Sequence, residues 1–385
     1  MKHKQLFGGL FENKTVLITG HTGFKGAWLS LWLNELGANV VGYSLEPPTQ
    51  PNLFEQCALG SKVRSILGDV RDRDQLQKVI GEIHPEIIFH LAAQPLVRHS
   101  YANPLETIIT NVLGTVHVLE AIRLNGTSVR VCQIITSDKC YENEENGRAY
   151  SETDKLGGHD PYSASKACAE VLTAAYRNSF FQPSANQKLK ISISSVRAGN
   201  VIGGGDWGKD RLIPDCIRAL SQNEPISIRN PESTRPWQFI LDVLLGYLRL
   251  AEQQWNDPYL YAGAWNFGSS DIQNLTVGDI AQKIIQEWGR GSWQVQKKSG
   301  NSGQSEPHEA QFLKLDSSKA QKLLGWHHVY ALNESIHETV RWYRDTAALE
   351  PDLTHAYTIK QIEQYVNSAQ KQNYPWTQQK KILYQ

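Results

Sequence analysis

The sequence predicts an α/β fold: a doubly wound parallel sheet with a smaller, interleaved α+β lobe. Three observations carry that prediction. Short β-branched runs alternate with longer helical patterns through the first half of the chain. Strands separated by helices imply crossover connections, hence a parallel sheet covered on both faces. A glycine-rich turn lies between the first strand and the first helix. After about Asn200 the rhythm breaks, with Gly203–Gly205, Trp207 and Pro214 marking loops and Pro225, Pro231 and Pro236 interrupting the later segments.

Taken in order, Thr15–Thr19 (TVLIT) has the unbroken apolar run of a buried strand, and Gly26–Leu36 comes next at amphipathic helical spacing. Asn39–Tyr43 is a second strand, Val63–Leu67 a third, Glu86–His90 a fourth and Arg130–Thr136 a fifth. Gln75–Glu82 and Thr110–Leu124 are the helical patterns among them, and Ile191–Val196 adds a further strand. Beyond Asn200, the helical patterns Leu241–Gln254 and Val277–Trp288 lie among loops and read as a lobe of their own, not as more of the sheet. From Glu350 the chain is Gln-rich and polar, which fits a peripheral helix or a partly ordered end. The expected division is 11–200, an interleaved 201–350, and a polar tail, 351–385.

Composition narrows the class. Hydrophobic residues make up 40% and charged residues 20% of 385 positions, ordinary for a chain that buries a core. Lys plus Arg equals Asp plus Glu at 39 each, so nothing in the balance calls for nucleic acid or an anionic membrane. Five scattered cysteines, with no CxxC pair, argue against a disulfide framework or a zinc site. No HExxH or clustered His/Asp set points to a catalytic metal. The amino terminus is too polar for a signal peptide, and no later stretch approaches membrane-spanning length, so the cytoplasm is the expected setting.

The turn after the first strand reads Thr19-Gly20-His21-Thr22-Gly23-Phe24-Lys25-Gly26. Its glycines allow a tight turn and close backbone approach, and the helix N-terminus favours a pyrophosphate. The second strand runs into Ser44-Leu45-Glu46, and Tyr43–Gln56 contains no Arg or Lys to meet a 2′-phosphate. NAD is therefore expected rather than NADP. Gly68-Asp69-Val70 comes after the third strand, where a carboxylate could accept from an adenine amino group.

Tyr162 and Lys166 stand four apart on one helical face. An ammonium beside a phenol lowers its pKa from about 10 and lets it accept a proton near neutrality. Thr136-Ser137-Asp138-Lys139-Cys140 closes the fifth strand, and strand carboxyl ends line the ligand crevice of doubly wound sheets.

With these pieces the chain resembles the extended short-chain dehydrogenase/reductases, of the NAD-dependent epimerase/dehydratase family, from about Asn13 to Arg344. TGHTGFKG resembles their nucleotide loop, His90-Leu91-Ala92-Ala93-Gln94 the segment beside the cofactor, Asn111 a helix-distorting asparagine, and YSASK the Tyr-x-x-x-Lys. The resemblance implies a Rossmann-type NAD domain and a substrate-binding lobe. It implies NAD contacts at Gly20, Thr22, Gly23, Phe24, Gly26, Asp69, Val70, Leu91, Ala92, Ala93, Asn111, Tyr162 and Lys166. Ser137-Asp138-Lys139 takes the place of the Thr-Asp-Glu of nucleotide-sugar 4,6-dehydratases, and AGNVIGGGDW, DRLIPD and STRPWQFILD resemble those acting on a CDP-hexose.

The implied reaction is dehydration to a 4-keto-6-deoxy sugar. Tyr162 would take the C4 hydroxyl proton, Ser137 would bond the C4 oxygen, and Asp138 would be the acid for the C6 hydroxyl. Lys139 departs from the pattern's Glu: it acts as C5 base only if neutral, or it stays charged and stabilises the C5 anion while another group is the base. Gln94, Asn200, Arg211 and Arg235 are the substrate candidates, the last two as guanidinium partners for the diphosphate. Trp207 and Trp237 stack or pack. The resemblance also implies a homodimer or homotetramer through Thr110–Leu124 and Pro161–Phe180. The rivals are a 4-epimerase or decarboxylase on the same fold, which would need no acid at C6, and a non-enzymatic dinucleotide-binding regulator.

Overall fold

The computed structural model describes residues 3–182, 190–269, 275–296 and 313–378. Strands β1 (Thr15–Thr19), β2 (Asn39–Ser44), β3 (Arg64–Leu67), β4 (Ile87–His90) and β5 (Val131–Ile135) join Ser192–Ala198 and Gly263–Phe267 in one seven-stranded sheet. Every pairing is parallel, in the order Gly263–Phe267, Ser192–Ala198, β5, β4, β1, β2, β3. The chain builds outward from β1 in one direction and then the other. Beyond the carboxyl ends of β1 and β4, where the order reverses, doubly wound sheets hold their ligands.

The apolar strands are buried because successive side chains point to opposite faces and both faces are covered. Leu17, Ile88, Cys132 and Ile134 pack with Val118, Leu119 and Ile122 on one side. Val16, Ile18, Phe89 and Val131 pack with Trp28, Trp32, Leu244 and Leu248 on the other. Each such side chain contributes about 1.5–3 kcal/mol on burial.

The second half is more entangled with the first than expected. Gly263–Phe267 pairs with Ser192–Ala198 and completes the sheet, so residues beyond Asn200 do continue it. Helix Ile240–Asn256 packs beneath β5 and Ser192–Ala198. Among the described residues, short two-stranded pairs, such as Asn200–Ile202 with Trp237–Phe239, stand apart from the sheet.

The tail is also different. Pro351–Lys371 is a helix whose Ile362, Tyr365, Val366 and Ala369 are buried, so one face belongs to the core while Asp352, Ala356, Lys360, Asn367 and Gln370 meet water. Trp376 comes next, stacked on Phe7 at 5.0 Å between ring centroids and edge-on to Trp32. The last residues of the expected tail, 379–385, lie outside the described residues.

One helical stretch, Pro104–Asn125, is long and apolar enough to cross a membrane by length and composition, with mean hydropathy 1.3 over its best window. This corrects the sequence expectation, which began the helix at Thr110 and so saw it short. Part of its apolar surface, Val118, Leu119, Ala121 and Ile122, is built into the sheet's core.

Candidate active site

β1 ends at Thr19, and the next turn is so tight that only glycine fits it. Gly20 has φ 77°, and a Cβ there would come within 2.7 Å of the Ala92 nitrogen. At Gly26 a Cβ would meet the Gly20 carbonyl at 2.2 Å, so helix Phe24–Glu35 is seated directly against the turn. At Gly23 a Cβ would only touch the Gly20 carbonyl, at 3.4 Å, and this residue leads into the helix N-terminus with its unpaired N–H groups. This cradle fits a dinucleotide pyrophosphate. Thr22 Oγ1 bonds Ser44 Oγ at 2.7 Å and donates to the Leu45 carbonyl, tying the loop to the end of β2. His21 turns away from the cradle, its ring above Gly42 and its Nε2 2.7 Å from Ser65 Oγ; burial lowers it to about 4.

Asp69 accepts from the Arg71 amide and guanidinium at 2.9 and 2.7 Å, and Val70 packs against Gly114. Leu91, Ala92 and Ala93 continue β4 beside the glycine turn, where the Ala92 amide donates to Thr19 Oγ1. Asn111 lies in a π-helical turn, Ile109–Leu113, as its helix-distorting reading requires. Its Oδ1 accepts from the Gln94 amide, and its Nδ2 donates to the Gln94 carbonyl and Ser165 Oγ. Gln94, expected on the substrate, spends its own side chain locally. Nε2 donates to the Leu96 carbonyl and Thr107 Oγ1, and Oε1 accepts from the Leu96 amide.

Asp160 caps helix Pro161–Phe180, accepting from the Ser163 amide at 3.0 Å, with Pro161 in the first turn. That start fixes the register of Tyr162 and Lys166, which are 8% and 6% exposed. Opposite them, β5 runs through Thr136 into a short turn, Asp138–Cys140, capped by Ser137. Ser137 Oγ donates to Asp138 Oδ1 at 2.8 Å, accepts from the Lys139 amide and hydrogen-bonds Tyr162. Lys139 Nζ stands 3.8 Å from Asp138 Oδ1. Of the five expected catalytic side chains, Ser137, Asp138, Tyr162 and Lys166 are buried, and Lys139 is half-buried at the same turn.

Its electrostatics differ from expectation in one respect. Tyr162 is pushed up to about 12, by burial first, with Asp138 adding and the Ser137 hydrogen bond and Arg211 opposing. Lys166 does not hold it down: its ammonium donates to the Ile135 carbonyl at 3.4 Å. Burial and then the Lys25 charge lower Lys166 to about 8. Lys25, which sequence reasoning passed over, is itself lowered to about 8 by burial and by Arg211, against Asp138 and Asp206. The overlooked signal was a cation inside an otherwise uncharged phosphate loop.

Arg211 Nη1 donates to both Asp206 oxygens, at 3.0 and 2.8 Å, beside this cluster. Asn200 pairs in register with Trp237, which brings it and Arg235 to one edge; Arg235 Nη1 donates to the Thr234 carbonyl. Trp207 packs edge-on to Tyr343 and donates to Gln56. Among the described residues there is no cluster able to hold a metal ion, and all five cysteines are free thiols.

A glycine cradle at the switch point, with a tyrosine, a lysine, an acid and an amine beyond it, defines a nucleotide-dependent enzyme acting on a hydroxylated substrate. The family model described as GDP-mannose 4,6 dehydratase matches residues 17–339, and the chain belongs to that family, within the extended short-chain dehydrogenase/reductases. It is 49% identical to CDP-glucose 4,6-dehydratase of Salmonella typhimurium, over 87% of this chain and 91% of that one. It is 27% identical to UDP-glucose 4-epimerase of Mycolicibacterium smegmatis, over 86% of this chain and 98% of that one. Among solved structures, MoeE5 in complex with UDP-glucose and NAD superposes with TM-score 0.70 at 26% identity, covering 87% of this chain and all of that one. The epimerase Mth375 of Methanothermobacter thermautotrophicus shares the fold, with TM-score 0.71 over 88% of this chain and 94% of that one, at 23% identity.

Proposed function

We propose that this enzyme dehydrates CDP-glucose to CDP-4-keto-6-deoxyglucose, with NAD regenerated in each turnover. The observation that carries this reading is the Ser137–Lys139 turn facing Tyr162: an acid and an amine beside the tyrosine serve loss of water from C6, which epimerisation does not require. The 49% identity to a dehydratase of that substrate supports it.

Gly20, Gly23 and Gly26 would cradle the NAD pyrophosphate. NAD, when bound, supplies the acceptor for the C4 hydride and returns that hydride to C6. Tyr162 takes the C4 hydroxyl proton, a transfer that needs a positive charge beside a phenol otherwise pushed up to about 12. Arg211, whose charge already opposes that rise, supplies one, and Lys166 adds another on turning from the Ile135 carbonyl. The C4 ketone acidifies C5, and we assign that proton to Lys139, or to a neighbouring base with Lys139 stabilising the C5 anion. As the C5–H electron pair forms the C5–C6 double bond, the C6–O bond breaks and Asp138 gives the departing oxygen its proton. The same base then returns the proton to C5. Tyr162 ends one proton richer and Asp138 one poorer, and Ser137, bonded to both, is placed to reset them. We place the diphosphate near Arg211, Arg235 and Asn200. We also propose a cytoplasmic homo-oligomer joined through Pro104–Asn125 and Pro161–Phe180, whose Leu105, Ile108, Leu113, Val171 and Phe180 are exposed.

The test is incubation of the protein and NAD with CDP-, UDP-, dTDP- and GDP-hexoses, with products read by mass. Loss of one water from CDP-glucose is the expected result. Conversion without change of mass would make the enzyme an epimerase, and binding of NAD without turnover of any donor would make it a regulator.

A further inference from the structure

We propose that Glu170 is a positioning residue: it sets the turn that eliminates water against the helix that carries Tyr162 and Lys166. The inference rests on the dehydratase reading above.

Glu170 lies one helical turn beyond Lys166 and two beyond Tyr162, on the same face, and is 3% exposed. Its Oε1 accepts a short hydrogen bond from Thr136 Oγ1, the residue just before Ser137. Its Oε2 accepts from Ser195 Oγ at 2.5 Å and from Arg197 Nη2 at 2.7 Å. Arg197 donates from its other nitrogen to the Tyr141 hydroxyl, two residues after Lys139, and Tyr141 in turn donates to Asn266 Oδ1 at 2.8 Å. One carboxylate thus holds the turn at both ends, directly through Thr136 and through Arg197 at Tyr141.

A residue that only filled the core would have no reason to reach both flanks of three reactive side chains. Burial would raise the Glu170 carboxyl, yet Arg197 and the three hydrogen bonds hold it below the ordinary range, so the brace is ionic. Gly199, two residues past Arg197, lies against Asp138, where a Cβ would come within 3.2 Å of Oδ2. Tyr162 serves the oxidation at C4, whereas Asp138 and Lys139 serve the elimination. Loosening the brace moves the second set relative to the first, and reacting groups misplaced by about 1 Å cost about a hundredfold in rate.

The experiment compares Glu170→Gln, Thr136→Val and Thr136→Ser with the unmodified enzyme on CDP-glucose. It tracks reduced-nicotinamide absorbance, dehydrated product, NAD affinity and thermal midpoint together. In Glu170→Gln and Thr136→Val, water loss is expected to fall tenfold or more while C4 oxidation persists, so reduced cofactor and the 4-keto-hexose accumulate at unchanged NAD affinity. Thr136→Ser, which keeps the hydroxyl, restores the normal partition. Oxidation and elimination falling in equal proportion, or neither falling, would overturn the proposal and leave Glu170 a structural residue. If Glu170→Gln does not fold, Thr136→Val decides alone. If the unmodified enzyme releases no dehydrated product, the dehydratase reading itself fails, and that arm is read before any variant.

Discussion

Glu170, behind the reactive corner, and Asp242, at the start of helix Ile240–Asn256, are 3% and 0% exposed, but their surroundings are unlike. Glu170 has a guanidinium and two hydroxyls on its two oxygens. Asp242 has the Tyr365 hydroxyl at 2.6 Å and the Val329 amide at 2.7 Å, both on Oδ1, while Oδ2 has no partner. Glu170 is held below the ordinary carboxylate range, and burial raises Asp242 to about 7. Depth alone therefore does not decide the charge of a buried acid. A cation in contact does.

The comparison breaks most sharply when one partner is removed. Arg197→Met leaves the Glu170 charge buried with hydroxyls only and is expected to cost about 3–5 kcal/mol in denaturant unfolding. Arg197→Met with Glu170→Leu should recover much of that loss, since no lone charge remains. The other acid should show itself through pH. Folded Asp242 keeps its proton up to about pH 7, while the unfolded chain releases it near pH 4. The folded state binds more protons in that window, so this group's contribution falls as pH rises through it and is flat above. The drop amounts to about 4 kcal/mol at most, and Asp242→Asn should abolish it in unfolding measured across that range. Tyr365→Phe removes one donor from Asp242 Oδ1 and is expected to cost about 1–2 kcal/mol. Ser195→Ala, which leaves Glu170 its arginine and Thr136, should cost about 1 kcal/mol.

The strands that define the switch point were legible because each is a short apolar run next to a turn: Thr15–Thr19 was read to the residue, and β4 and β5 to within one residue at either end. The proposed catalytic residues could be named because they fall in two short local patterns, Ser137-Asp138-Lys139 at a strand end and Tyr162 and Lys166 four apart on one helix. What escaped was non-local. Gly263–Phe267 (GAWNF) has no β-branched residue and becomes a strand only by pairing with Ser192–Ala198. Gln94 was assigned by its neighbours, whereas its amide answers backbone groups that only the folded loop presents. Tyr162 was expected to be eased by Lys166 on spacing alone, but the lysine faces the Ile135 carbonyl. Glu170 carried a readable signal, a carboxylate four residues past Lys166; its partners Ser195 and Arg197 come from another strand.

The stack of Phe7 on Trp376 has a consequence for the chain as a line with two ends. Residues more than three hundred and sixty positions apart close the polypeptide into a ring held by aromatic contact. Cutting anywhere between Lys371 and Trp376 opens that ring and bares Trp32. Cutting at Glu350 also takes Tyr365 from Asp242, although every side chain assigned to chemistry lies upstream. A permuted chain, with Trp376 run back to Phe7 through a short linker and a break opened at a surface turn, would keep the ring intact. In such a molecule the clasp becomes covalent, and its aromatic stack is no longer what holds the circle shut.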